Sequence, residues 1–371
     1  MDGLSANFHS LRLAGLWREE NESFGLARRL YRLLVVAIVF YFTFTLTAEI
    51  ALKSSDIDHL TEALFFAATY LTLCFKIINF LARRDNLLEI IRDLNHPHCQ
   101  PNGKEETTIL AKRATTSTRL FTFLMGFAIC DALVFFYTFA SKVALGAPSL
   151  PYKAYQFYEV SSPRVAYPTA CFQVVANVYS IVINISLDTM FAGLFMAITG
   201  QMELNARRLE KLSRGDVVRA RDCVAHGLLV RGVAEKVESL VVGVAIPFFL
   251  LSMASICTSM FQASKYNFLS SDFAGISVFS LCILLQVFIY CWFGNQLMLK
   301  SQEISNAVYK CDWISMDARE RRLLFVLMIC NKKGQRISCH GLCALNMKTF
   351  LWIIKTSYAT VSLLHQVNTR A

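Results

Sequence analysis

Residues 273–299 read FAGISVFSLCILLQVFIYCWFGNQLML, and this stretch contains no charged side chain. Crossing the roughly 30 Å hydrocarbon core of a bilayer takes about 20 helical residues, so the run is long enough to span a membrane. A second charge-free run, Leu240–Ser264, precedes it in the chain. The two runs predict a pair of membrane-spanning helices.

The composition of the whole chain indicates a polytopic helical membrane protein. Hydrophobic residues make up 55% of the 371, charged residues only 17%, and the mean hydropathy is +0.43. A soluble protein needs more charge to cover its surface, whereas lipid solvates apolar side chains directly. We therefore predict an all-α membrane protein with a single domain over residues 1–371 and seven membrane helices. Their approximate bounds are 31–51, 59–81, 118–141, 166–199, 238–263, 273–299 and 346–367.

Several spans have features that set their expected surroundings. In the second span, Glu62 and Lys76 lie near opposite ends, where each is expected to extend its charge to the lipid headgroups. The fourth span continues as good helix-forming sequence to Leu209, so helices four to six are expected to project beyond the membrane. The apolar patch Leu323–Cys330 is too short to span. It predicts an amphipathic helix within a cytoplasmic anchor formed by residues 200–237 and 300–345.

Lysine and arginine are distributed unevenly between the two sides of the predicted helices. The N-terminus and the connections 82–117, 200–237 and 300–345 carry 26 of them, whereas the opposite side carries six. Because positive residues accumulate in cytoplasmic loops, we expect a cytoplasmic N-terminus and an extracellular C-terminus. The net charge of +10 then lies on the cytoplasmic face, and nucleic-acid binding is not implied.

Four stretches resemble, in order and position, sequence patterns of the insect odorant receptors. They are Leu150-Pro151-Tyr152 before helix four, Asp188–Phe191 with Gln201–Leu204 in helix four, Tyr290–Trp313 at the end of helix six, and Thr349-Phe350 with Lys355–Tyr358 in helix seven. The chain departs from the family pattern at Lys300, where an acidic residue is usual, and at Ala359, where Ser is common. These departures concern the cytoplasmic end and the pore.

The resemblance implies a ligand-gated, non-selective cation channel for small hydrophobic volatiles, without a cofactor. It implies assembly with the family's co-receptor, as a heterotetramer, in the plasma membrane of a sensory-neuron dendrite. The co-receptor itself carries a long insertion between helices four and five, which residues 200–237 are too short to hold. The chain is therefore expected to be a ligand-tuning subunit.

The family's ligand pocket lies in the outer halves of helices two, three, four and six, and such a pocket needs apolar and aromatic walls. The candidates in these halves are Phe66, Thr69, Tyr70, Leu133, Phe136, Tyr137, Cys171, Phe172, Val175, Tyr179 and Phe279. Ionisable residues inside spans are costly and indicate function. We expect Asp188 to be a packing or gating partner, whereas ligand contact and pairing within the bundle remain equal alternatives for Asp131.

The resemblance also places the pore, and the distribution of apolar residues indicates the assembly surface. The family's channel is lined by the last helix of four subunits, and a face through Ser357, Val361, Leu364 and His365 has helical spacing. An apolar ring at Val361 is expected to gate by dewetting. Apolar residues recur in the inner segments, where Tyr309 and Trp313 are the expected aromatic anchors of assembly.

Other function classes lack their sequence patterns. There is no nucleotide-binding loop, serine-centred elbow or HExxH motif, so an enzyme is not expected. The His96–Cys99 and Cys339–Cys343 stretches lack a second half at zinc spacing, so no metal site is predicted. A G-protein-coupled receptor is one alternative, but Asp-Arg-Tyr and Asn-Pro-x-x-Tyr are missing. A gustatory-receptor-like channel is another, but no Gln-Phe follows Ser357-Tyr358.

Overall fold

The computed structural model describes residues 2–18, 25–53, 57–144, 150–160, 162–213, 215–267, 269–332, 334–339 and 343–368. Seven long helices cover the predicted spans. They are α2 (Leu26–Lys53), α3 (Ile57–Ala82), α5 (Lys104–Ala144), α6 (Pro163–Glu210), α7 (Val217–Ala263), α8 (Ser271–Lys310) and α10 (Met347–Asn368). The shorter elements are α1 (Ser5–Leu13), α4 (Arg84–Leu94), α9 (Ala318–Asn331), two 3-10 turns (Asp2–Leu4 and Pro97–Cys99) and a hairpin of β1 (Ser338–Cys339) and β2 (Cys343–Ala344).

Within the described residues, six of the long helices, α2, α3, α5, α6, α7 and α8, are apolar enough over an 18-residue stretch to cross a membrane. The last helix, α10, has 22 residues, which is sufficient length for a seventh crossing.

Several helices are far longer than a bilayer requires. The 48 residues of α6 correspond to about 72 Å of helix. The helix α7 begins 21 residues before the apolar span predicted at 238, because its first half is amphipathic: Val230, Val233 and Val237 are buried between charged positions. The helix α5 likewise begins at Lys104, with Glu105 and Glu106 in its first turn, where acidic side chains favour the helix dipole.

The helical extensions pack together with α4 and α9, and we call this group the anchor bundle. Both α4 and α9 pack against α7, and α9 also packs against α8. A capping box starts α9, because the Asp317 amide donates to the Glu320 carboxylate at 2.9 Å. The predicted patch is half inserted: Leu324 and Leu327 are buried, whereas Phe325 and Ile329 are exposed.

The main core runs between α3, α6, α7 and α8 through both the anchor bundle and the membrane helices. Its largest buried side chains include Phe191, Phe195, Phe248 and Phe261. The short helix α1 adds to this core, which its mixed polar sequence does not predict. The Asn7 amide of α1 donates to the Ser186 carbonyl of α6 at 3.1 Å, and Leu11 is fully buried.

Candidate functional site

A cavity of about 350 Å³ lies between α3, α5, α6 and α8, and residues 150–153 also line it. Four of the predicted ligand residues line it, namely Phe66, Thr69 and Tyr70 of α3 and Phe279 of α8. The volume falls in the range of small-molecule sites, about 300–1,000 Å³. The cavity is therefore large enough for a small organic ligand within the membrane helices.

Aromatic rings in mutual contact form one wall of this cavity. The centroids of Phe65 and Phe279 are 4.3 Å apart, and Phe66 meets Phe279 at 5.5 Å in an edge arrangement. Phe66 also contacts the ring of Tyr152 edge-on at 5.1 Å. Such contacts fix the rings against each other, so the wall is a preformed apolar surface that suits a flat or unsaturated ligand.

Polar groups on the neighbouring wall are held by hydrogen bonds. The Tyr70 hydroxyl donates to Asn177 Oδ1 of α6 at 2.8 Å. The hydroxyls of Thr69 and Ser255 lie 3.3 Å apart, which joins α3 to α7. These bonds orient the side chains and leave a small number of fixed polar atoms among apolar surfaces, as ligand sites usually have.

The predicted residues of α5 lie elsewhere. Leu133 and Phe136 line a second cavity of about 330 Å³, between α5 and α6, and not the first. Tyr137 lines neither cavity and is 72% exposed. The residues that α5 contributes to the first cavity are on a neighbouring face of the helix, and they include Ala128 and Asp131.

The four predicted residues of α6 do not line the first cavity, which corrects that part of the prediction. Cys171 and Val175 are exposed, Phe172 packs against Tyr41 and Phe42, and the Tyr179 hydroxyl lies 3.2 Å from that of Tyr31. The cavity instead receives Asn177, Ser180, Ile181, Asn184 and Ile185. These follow the i, i+3, i+4, i+7, i+8 spacing of one helix face. Polar residues recurring on one face of an apolar helix were the signal that could have identified them.

A buried charged cluster lies next to the cavity and joins four helices. Lys76 Nζ of α3 is 2.6 Å from Asp188 Oδ1 of α6 and donates to Asn184 Oδ1 at 2.8 Å. The Tyr290 hydroxyl of α8 donates to Asp188 at 2.8 Å, and the ammonium of Lys76 lies over the Phe248 ring of α7. We call Lys76, Asn184, Asp188 and Tyr290 the charged cluster.

The charged cluster corrects the expectation for Lys76 and confirms a packing role for Asp188. Both side chains are at most 1% exposed, so Lys76 does not reach the headgroups. Its face of α3 is covered by α6 and α7, and the carboxylate supplied by α6 compensates the buried ammonium. Asn184 belongs to the charged cluster and also lines the cavity.

Only part of the predicted pore face of α10 is available to line an ion-conducting path. Ser357 is 1% exposed and lies against α7, where its carbonyl accepts from Cys257 Sγ at 3.7 Å. Its side chain therefore faces the interior of its own subunit, which corrects its placement in the pore. Val361 is half-buried. The side chains of Leu364 and His365 fall outside the described part of the chain.

The predicted assembly residues lie on the surface of the anchor bundle. Tyr309, near the end of α8, is 63% exposed, and Trp313 just beyond the helix is 39% exposed. Two further apolar side chains are exposed in this region. They are Ile314, which follows Trp313 in the sequence, and Phe325 of α9. Large apolar side chains exposed together are typical of protein interaction surfaces.

Polar contacts hold the anchor bundle together beneath the membrane helices. Arg208 of α6 forms a 2.8 Å ion pair with Glu106 of α5 and donates to the His98 carbonyl at 2.7 Å. Burial raises the pKa of Glu106, but hydrogen bonds from Arg208 and from the Asn102 amide outweigh it and hold that pKa below its usual value. Burial lowers the pKa of His226 to about 3.

Comparison with known proteins identifies the family. A family model for 7tm odorant receptors matches residues 56–358. Odorant receptor 46a, isoform A, of Drosophila melanogaster is 22% identical over 96% of this chain and 96% of its own length. Odorant receptor Or1 of Anopheles gambiae is 24% identical over 96% of this chain and 93% of its own.

The fold is shared with a solved structure. The insect olfactory receptor OR5 from Machilis hrabei, in complex with eugenol, superimposes with a TM-score of 0.90 and 15% identity, covering 98% of this chain and 97% of that one. The likeness confirms the seven-helix membrane fold. The chain belongs to the insect odorant receptor family, a family of odorant-gated cation channels and not of G-protein-coupled receptors or enzymes.

Proposed function

We propose that this chain is the odorant-binding subunit of a heteromeric, non-selective cation channel that small hydrophobic volatiles open. The observation that carries the proposal is the 350 Å³ cavity with its wall of Phe65, Phe66 and Phe279 inside the membrane helices. The OR5 structure, which has the same fold, contains eugenol, a small molecule. An apolar volatile of similar size fits the chemistry of this wall.

The partner in this proposal is the co-receptor of the family, in a heterotetramer. The connection between α6 and α7 supports the role of a ligand-tuning subunit, because α6 ends at Glu210 and α7 begins at Val217, which leaves no long insertion. Tyr309 and Trp313, on the surface of the anchor bundle, are our candidates for the contact with neighbouring subunits.

The proposed orientation puts the anchor bundle in the cytoplasm and the C-terminus outside, in the plasma membrane of a sensory-neuron dendrite. Support comes from the 26 Lys and Arg residues on the anchor side against six on the other. Epitope tags at the two ends, stained before and after permeabilisation, test it. Surface staining of an N-terminal tag in intact cells would reverse the assignment.

Gating in the proposal connects the cavity to α10. Odorant binding favours a conformer in which the α10 helices of the subunits move apart. We place the gate at Val361, with Leu364 or His365 beside it, and leave Ser357 out because it is buried against α7. An apolar ring there opposes hydration of the closed path.

Co-expression with the co-receptor and recording of odorant-evoked current tests this function. Substitution Phe279→Ala, at the cavity wall, is expected to change the rank order of odorants without changing ion permeability. Substitution Val361→Ala is expected to do the opposite, altering permeability or basal current while the rank order stays. If Phe279→Ala changed permeability and left the odorant ranking intact, the division between cavity and gate would be refuted.

A further inference from the structure

Asp131 places a carboxylate in the wall of the cavity, in the middle of α5. Its helical neighbours on that wall are Ala128 and Ala132, whose small side chains leave the carboxylate accessible from the cavity. Within the described ranges of the chain, this carboxylate takes part in no hydrogen bond or ion pair. It is therefore an acceptor without a protein donor, in a cavity of about 350 Å³.

Two other polar groups in the cavity wall have partners within the protein. The Glu62 carboxylate pairs with Lys153 at 2.6 Å. Asn177 Oδ1 accepts the Tyr70 hydroxyl at 2.8 Å. Asp131 differs from both because no donor occupies its oxygens, so it is the acidic group that remains open to a ligand.

The surroundings of Asp131 do not supply a compensating charge. Tyr152 and Cys282 lie close enough to interact with it electrostatically, and neither carries a positive charge. The lysine that lines the cavity, Lys153, is bound to Glu62. An ionisable group at this depth is costly unless a partner satisfies it.

We propose that Asp131 determines ligand class, by accepting a hydrogen bond from an O–H or N–H group at one end of the odorant. The apolar body of the same molecule packs on the aromatic wall of Phe66 and Phe279. This inference rests on the proposed function and narrows it, from hydrophobic volatiles in general to amphipathic ones with a donor head group. Alcohols, phenols and primary or secondary amines share that chemistry.

The test compares each donor compound with a counterpart that lacks the donor. Benzyl alcohol and benzylamine are paired with anisole, and 1-hexanol and hexylamine with methyl pentyl ether, on the channel co-expressed with the co-receptor. A hydrogen bond to a charged group contributes enough that the donors should be about 10-fold or more as potent as the ethers. Asp131→Leu should remove this advantage and leave responses to the ethers unchanged or larger.

Asp131→Asn distinguishes the alcohols from the amines among the donor compounds. The amide keeps an acceptor oxygen of the same shape but loses the charge, so alcohols should keep part of their advantage over the ethers, whereas protonated amines also lose their counter-charge and should lose about 10-fold or more in potency. The same variant guards against misfolding, since its alcohol response shows an intact channel. Asp85→Asn is the matched control, because this carboxylate at the first turn of α4 is 93% exposed and does not line the cavity, so its loss should leave the ranking unchanged.

Two results would overturn the inference while leaving the proposed function intact. One is a channel that responds to the ethers at least as well as to the alcohols and amines. The other is an unchanged preference for donors in Asp131→Leu. Silence toward every odorant, with normal surface delivery of both subunits, would instead count against the proposed function and the inference with it.

Discussion

Replacing Lys76 by Met removes one partner of an ion pair that is enclosed by membrane helices. The pair is at most 1% exposed, and Nζ lies 2.6 Å from Asp188 Oδ1. Removing one member of such a pair leaves an uncompensated buried charge, which costs about 3–5 kcal/mol. This is a large part of the 5–15 kcal/mol that typically separates folded from unfolded domains. Lys76→Met should therefore sharply reduce the thermal stability and surface delivery of the receptor.

The partner substitution and the double variant test the reason for this loss. Asp188→Asn leaves the ammonium of Lys76 unpaired and should cost a similar amount. In the double variant Lys76→Met/Asp188→Asn, no charge remains, and the amide oxygen can still accept from the Tyr290 hydroxyl. Replacing a whole buried pair is often nearly neutral, so the double variant should be more stable than either single variant.

A solvent-accessible pair provides the matched control. Lys236 of α7 lies 2.9 Å from Asp93 and 3.1 Å from Glu89 of α4, and these side chains are between 30% and 53% exposed. Exposed pairs contribute about 0–1 kcal/mol, so Lys236→Met should have little effect. The assay is the apparent melting temperature of the tagged receptor in detergent, read as the folded peak that survives heating. The reasoning is refuted if the double variant loses the sum of the two single losses, or if Lys76→Met behaves like Lys236→Met.

Three further substitutions test other parts of the structure. His226 is fully buried with a pKa lowered from 6.5 to about 3, so the unfolded state binds a proton that the folded state does not. Stability should fall as pH drops through this window, by up to about 1.4 kcal/mol per pH unit, and His226→Gln should flatten that slope in melting curves. Gly294→Ala puts a Cβ 2.6 Å from the Leu345 carbonyl oxygen and should lower stability by about 1–3 kcal/mol; an unchanged melting temperature would disprove that contact. Trp313→Ala should reduce co-purification with the co-receptor while odorant ranking in surviving channels is unchanged, and normal assembly with altered ranking would place Trp313 in the ligand pathway.

The helices were predictable from the sequence because a membrane-spanning helix requires one continuous run of about 20 apolar residues. A charge-free run such as 273–299 has few alternatives to a spanning helix, and α8 does contain it. The extensions of α6 followed from the same pattern, since helix-forming residues continue beyond Gly200. The seven-helix fold therefore depended on local length and charge, which the sequence displays directly.

The helix faces that form the cavity were less predictable. The family resemblance pointed to the outer halves of four helices, and the apolar and aromatic residues there included Phe66, Thr69, Tyr70 and Phe279, which do line the cavity. The rotation of α6, in contrast, depends on its neighbours. Phe172 pointed to the wrong face of α6, because an apolar Phe side chain is equally suited to contact lipid or the protein core. Polar Asn177 would have been the better guide, because a polar side chain in a membrane helix avoids lipid.

Lys76 could not be placed from the sequence for a related reason. Its distance from the end of α3 allowed the ammonium to reach the headgroups, and nothing local excludes that arrangement. The outcome depends on Asp188, more than 100 residues away, which α6 brings to 2.6 Å. Such pairing follows from helix packing, which sequence periodicity does not specify.

The most direct test of the account is odorant-evoked current in outside-out patches that hold this chain with the co-receptor and contain no ATP or GTP. Because the proposed subunit binds the odorant and lines the conducting path, we expect a current that persists without nucleotides. Its reversal potential should stay near zero when sodium replaces potassium, as for a non-selective cation channel. A current that disappears without GTP and returns when GTP is restored would contradict the account.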